Sequence, residues 1–119
     1  MTIGYSRYPV LTSQSLDAGG SVNSNTVDIK GHLGGVALLK ITNGATPPDP
    51  EATLRAEGSD DGSEWFTIDT VMGGSTTANQ VTSAVKEIPP GIRFVRISGA
   101  GGTGQAVTII GRIVVIMPG

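Results

Sequence analysis

The run Gly99-Ala100-Gly101-Gly102-Thr103-Gly104 has the spacing G-x-G-x-x-G and follows a strand-like segment, the arrangement of a dinucleotide-binding turn. That chemistry also needs a helix whose N-terminus faces the pyrophosphate, and an acid about 20 positions on to hold the ribose. Here Val107-Thr108-Ile109-Ile110 is a poor helix former, and no acid follows Glu87. The glycines read as a flexible loop between strands, and no cofactor is expected. Asp60, Asp61 and Glu64 could offer carboxylate oxygens to calcium, but the alternating ligands and distal glutamate of a calcium loop are missing. They suit a hairpin turn better, and a short exposed turn is a poor place for a glycosidase pair of carboxylates. His32, the only histidine, has no Gly-x-Ser-x-Gly elbow to serve, and its metal partners would be carboxylates alone. It reads as a surface loop residue. Catalytic and metal-binding residues are therefore not expected.

Trp65 and Phe66 are adjacent on an alternating segment, so one should point inward and the other outward. A Trp beside three carboxylates could stack on a sugar ring. The preferred reading is that Trp65 caps the edge of the fold or fills a protein interface.

The elements that must position these residues are strands. Of the 119 residues, 35 are Val, Ile or Thr, and 18 Gly and 7 Pro punctuate them. That profile predicts an all-β chain with many turns, and the length suits one domain. Eight basic and ten acidic residues leave a net charge of −2. The cations are scattered singly, without the basic cluster that nucleic-acid binding needs. Cysteine is absent, which excludes disulfides, thiolate nucleophiles and zinc–sulfur sites. No apolar run of about 18 residues exists to span a membrane as a helix. The opening Met1-Thr2-Ile3-Gly4-Tyr5-Ser6-Arg7-Tyr8-Pro9 lacks a charged leader before an apolar block, so no secretory signal is expected.

Along the chain, residues 1–20 show no sustained apolar period, yet Tyr5, Tyr8, Pro9, Val10 and Leu11 are too apolar for a solvated tail. They read as an extended N-terminal arm, or equally as an edge strand packed on its own domain, residues 21–119. Residues 22–29 suit a half-exposed strand, and the apolar run 36–42 a central one. Pro47, Pro48 and Pro50 mark a loop. In Ala52-Thr53-Leu54-Arg55-Ala56-Glu57 the even positions should face inward. Asp61-Gly62 then predicts a hairpin returning through residues 64–71. Residues 75–88 favour a strand, although Val81, Ala84, Val85 and Ile88 also fit a short helix. Residues 92–98 form another strand.

Residues 106–117 are apolar on both faces. Val107, Ile109, Ile113, Val115 and Met117 alternate with Ala106, Ile110, Val114 and Ile116. Extended, this segment would reach about 40 Å. A two-sheet sandwich buries one face of each strand. The second apolar face therefore predicts a cover, either the N-terminal arm or, preferably, a second subunit.

The stretch from Ala52 to Phe66, with its Gly58-Ser59, Asp61-Gly62 and Trp65-Phe66, resembles a hairpin of small virion proteins of tailed bacteriophages. Ile88-Pro89-Pro90-Gly91-Ile92-Arg93-Phe94-Val95-Arg96-Ile97 and Gln105-Ala106-Val107-Thr108-Ile109 are similar to the same group, and the resemblance covers residues 35–116. It implies a single antiparallel β-sandwich, jelly-roll-like, in a capsid decoration (cement) protein, a head fibre or a tail component, with no catalytic residues. A similar hairpin occurs in carbohydrate-binding sandwiches. The expectation is a homotrimer on the capsid surface of the virion, assembled in the host cytoplasm and partnered by the major capsid protein or another virion protein. Tyr5, Tyr8, Leu11, Trp65, Ile110, Val114 and Ile116 are its candidate interface residues.

Overall fold

Residues 3–118 are described here in a computed structural model. Their strands are β1 (Ile3–Leu16), β2 (Ser21–Asn23), β3 (Val27–Asp28), β4 (Gly35–Asn43), β5 (Thr53–Ser59), β6 (Phe66–Gly73), β7 (Val81–Ile88), β8 (Phe94–Ala100) and β9 (Val107–Pro118). One sheet is ordered β1-β9-β4-β7 and the other β2-β8-β5-β6, with β3 also beside β8. Every pairing is antiparallel. If β2 and β3 count as one interrupted strand, eight strands fill the two sheets in the jelly-roll order, crossing between sheets at every connection except the β5–β6 hairpin. The chain is all-β, as its β-branched content and turns predict.

Period-two alternation decides what each sheet buries. In β9, Val107, Ile109, Ile113 and Val115 enter the core, meeting Leu39 and Ile41 of β4 and Leu54, Val95 and Ile97 of the facing sheet. Gly111 occupies the remaining inward position. A side chain there would come within 2.6 Å of Ile97 Cδ1 and 3.3 Å of Leu11 Cδ1, so both residues fill the space that glycine leaves. In β5, Leu54 and Ala56 are buried as their alternation predicts.

Residues 75–80 precede β7 without helix, and Val81–Ile88 is a strand bonded to β4. The Asp-Gly hairpin joins β5 to β6, but through a longer connection than a two-residue turn. Asp61 Oδ1 accepts from Ser59 Oγ and from the amides of Ser63 and Glu64, at 2.7–3.0 Å. Gly62 takes the positive φ of 79° that the reversal needs.

Of the segment 1–20, Ile3–Leu16 takes the home placement. β1 lies along β9 from Ile3↔Pro118 to Leu16↔Val107, with register irregularities between Pro9, Leu11 and Gln14. It is an edge strand of the first sheet. Met1, Thr2 and Gly119 lie outside the described residues.

His32 requires a correction. It is buried, not on the surface, because the turn before β4 folds against the turn before β8. Nδ1 accepts from the Gly34 amide at 2.9 Å, which leaves the proton on Nε2 to be donated to the Ile92 carbonyl at 2.7 Å. Replacing His32→Leu would strip both backbone groups of their partner. We expect a loss of about 1–2 kcal/mol in urea unfolding, with the oligomeric state unaltered.

Candidate interaction surface

The outward face of the β1-β9-β4-β7 sheet is built by the residues that alternate with the core set. Register places Arg7, Val114, Val36 and Glu87 in one row across the four strands. Pro9, Arg112, Leu38 and Val85 form the next, and Ile110, Lys40 and Ser83 continue it. At the other end Tyr5 stands beside Ile116. Tyr5 is 72% exposed and Val85 62%. Two grooves cut this face. One of about 560 Å³ runs between Tyr5, Val36, Val114, Ile116 and the Pro89-Pro90 turn. The other, of about 410 Å³, is lined by Leu38, Val85, Ile110 and the stems of Lys40 and Arg112.

Four of the seven candidate interface residues therefore meet on one surface: Tyr5, Ile110, Val114 and Ile116. The other three do not join them. Leu11 is 2% exposed and belongs to the core, because the irregularity beside it turns it over Gly111. Tyr8 pairs with the inward Ile113 and packs against the same core. Trp65 sits with the other sheet.

That second outer face carries its own charge partners. Glu57, nine-tenths buried, accepts from Arg96 Nε at 2.8 Å and Arg55 Nε at 3.0 Å. Trp65 lies 4.2 Å from the Arg96 guanidinium, measured to the ring centroid, so one ring face already stacks on a cation. Arg93 bonds Asp28 at 3.2 Å and stacks on Phe94. At the seam between sheets, Lys86 reaches Thr70 Oγ1 at 2.9 Å and Asp69 at 3.6 Å.

The first sheet is different. Arg7, Lys40 and Arg112 form no ion pair among the described residues. Three cations without ion-pair partners among the described residues, set among partly exposed aliphatic side chains with Glu87 as the one acid of these rows, describe an incomplete surface. Sequence reasoning found the β9 residues of this face through their alternation. It missed Val36, Leu38 and Val85, whose common face appears only once register is known.

Asp28 and Asp61 are committed to structure. The Asp61 carboxyl is held below its ordinary range by the amides of Glu64 and Ser63 and by the Ser59 hydroxyl. Asp28 is lowered by Arg93 and the Lys30 amide. No group of three His, Cys, Asp or Glu side chains is arranged to hold a metal among the described residues.

Comparison by sequence gives no match, either to a protein-family model or to a curated protein. Comparison of folds does. The PBSX exported protein XepA superposes with a TM-score of 0.64 at 18% identity, over 96% of this chain and 37% of XepA. The SPBc2 prophage-derived protein YomS gives 0.55 at 11% identity, over 96% of both chains. The infectious bursal disease virus VP2 subviral particle gives 0.60 at 12% identity, over 97% of this chain and 32% of that one. The chain thus spans about a third of XepA and VP2. The same fold is found in carbohydrate-binding modules. What this chain shares with all of them is the antiparallel two-sheet sandwich.

Proposed function

We propose that this chain is a non-enzymatic structural protein of a bacteriophage virion, a capsid decoration protein that binds the assembled shell as a homotrimer. The observation that carries this reading is the outward face of the β1-β9-β4-β7 sheet, with apolar side chains on all four strands and cations that lack ion-pair partners among the described residues. A lone molecule would leave this face in water. Subunits that cover it with about 1,000 Å² or more of total buried surface would form a specific interface. Trimers bound only to the completed shell stabilise it by mass action, because binding favours the intact state over the dissociated one. The loops at the ends of the sandwich are then left to bridge capsid subunits. The folds of a prophage-derived protein and of a viral particle protein support a virion setting. The stacking of Trp65 on Arg96 weighs against a sugar platform.

The test is assembly. Light scattering should give the mass of three chains, and added protein should raise the temperature at which bare capsids disrupt. The double substitution Val114→Asp and Ile116→Asp should yield folded monomers that no longer protect capsids. A wild-type monomer at high concentration overturns the reading. Trimers that bind tails and ignore capsids would reassign the protein to the tail.

A further inference from the structure

We infer that the outward face of the β1-β9-β4-β7 sheet docks into a specific counter-surface on the next copy of this chain: the acid-rimmed groove under the β5–β6 hairpin. This rests on the homotrimer reading and specifies its contact. The groove measures about 480 Å³ and is floored by Phe66, Ile68, Ile92 and Pro89, with Asp60, Glu64 and Asp69 on its rim. Gly58 keeps it open, since a side chain there would come within 2.9 Å of Ile92 Cγ2. Phe66 is 60% exposed, an aromatic ring left open to solvent in an apolar notch.

Charge complementarity selects the occupant. The sheet face carries Arg7, Lys40 and Arg112 against the single acid Glu87, on a chain whose net charge is −2. The charged groups that line the groove are all acids. Asp60 and Glu64 form no ion pair among the described residues, and Asp69 holds Lys86 at a loose 3.6 Å. Two sheet faces stacked on each other would oppose cation to cation. Sheet face against groove brings apolar surface to apolar surface and cation to acid, on two copies of one chain.

The position of the two patches bears on the symmetry. A contact between unlike patches is heterologous and makes a ring if it closes, or a filament if it does not. The Pro89-Pro90 turn borders the groove beside Tyr5 on the sheet face, and Pro89 and Gly91 border the hairpin groove. The two patches adjoin across this one turn. Patches at opposite ends of the 50 Å long axis would favour a fibre, whereas patches that adjoin across one turn are compatible with a closed ring, the form the trimer reading requires. Residues 89–91 then face the trimer axis. Strand addition along β1 is a poorer route. Ile116 directs its amide and carbonyl toward Gly34 and Leu33, so alternation turns Gly4, Ser6 and Tyr8 toward β9 and leaves the Pro9 nitrogen, without a proton, on the free edge.

Charge reversal tests the pairing. In the full chain, Arg7→Glu with Arg112→Glu should raise the trimer dissociation constant at least about 100-fold, and Asp60→Lys with Glu64→Lys should do the same, since opposed like charges cost several kcal/mol. All four substitutions together should restore the trimer. Circular dichroism reports folding of each variant, and Phe66→Ser supplies a weakened contact without any change of charge. Trimers that survive both one-sided reversals and Phe66→Ser overturn the inference while leaving the trimer standing. So does a folded four-fold variant that stays monomeric. A monomeric wild type removes the trimer reading and this contact with it.

Discussion

Ile113→Ala should cost about 2–5 kcal/mol of folding stability, while Val114→Ala, one residue later, should cost the isolated subunit less than about 1 kcal/mol. Ile113 is fully buried in the central strand β9, in a row with Tyr8 of β1 and Ala37 of β4. Truncation removes three carbons from a site walled by strands on both sides and by the facing sheet, so the cavity cannot collapse. Val114 points the other way and remains partly exposed in the single chain. A domain of this size has roughly 5–15 kcal/mol in total, so the first change consumes a large share. Urea titration at concentrations where the chain is monomeric would show the midpoint falling for Ile113→Ala with an unaltered slope. Val114→Ala should instead appear in the assembly equilibrium. Equal destabilisation of the monomer by both would mean that the outer face is already covered by its own chain.

This contrast between neighbours was legible in the sequence because period two needs no knowledge of partners. Alternation alone separated Ile109, Ile113 and Val115 from Ile110, Val114 and Ile116. The same rule separates Tyr5 from Tyr8, which stand three apart. Grouping them as one sticky segment overlooked that parity, and the irregularity that turns Leu11 inward leaves no mark in composition. The Asp-Gly hairpin was legible for the same local reason, and Asp61 does the turn chemistry expected of it. His32 was not, because what buries it is the Ile92 carbonyl, sixty residues away in the chain. Glu57 was placed correctly on the outer face of β5, yet its partner Arg96 comes from β8 and is itself stacked on the ring of Trp65. The hairpin groove was hidden likewise. Asp60 and Glu64 read as turn residues until Ile92 and Pro89 from another loop supplied the apolar floor. Local pattern fixes which way a side chain points, and distant chain decides what it meets there.

Glu57→Gln should lower stability by about 2–3 kcal/mol near neutral pH, since it removes the charge from two arginine hydrogen bonds that are each among the stronger kind. Burial pushes the Glu57 carboxyl up, but hydrogen bonds from Arg96 and Arg55 outweigh it and hold the group below its ordinary 4.5. The folded-state value is thus lower than the unfolded one. The stabilisation is complete above the unfolded value and drains away as pH falls through the folded value, where the native carboxylate must take a proton. Wild type should therefore lose stability on acidification below about pH 4.5 more steeply than Glu57→Gln. Asp28 and Asp61, also lowered, titrate in both proteins, so the difference between the two curves isolates Glu57. That difference should shrink toward zero in strong acid, where wild type carries a neutral side chain at this position too. Parallel curves from pH 7 to pH 2.5 would mean that Arg55 and Arg96 find water as good a partner as the carboxylate. The Arg96 guanidinium would then be held by its stacking on Trp65 alone.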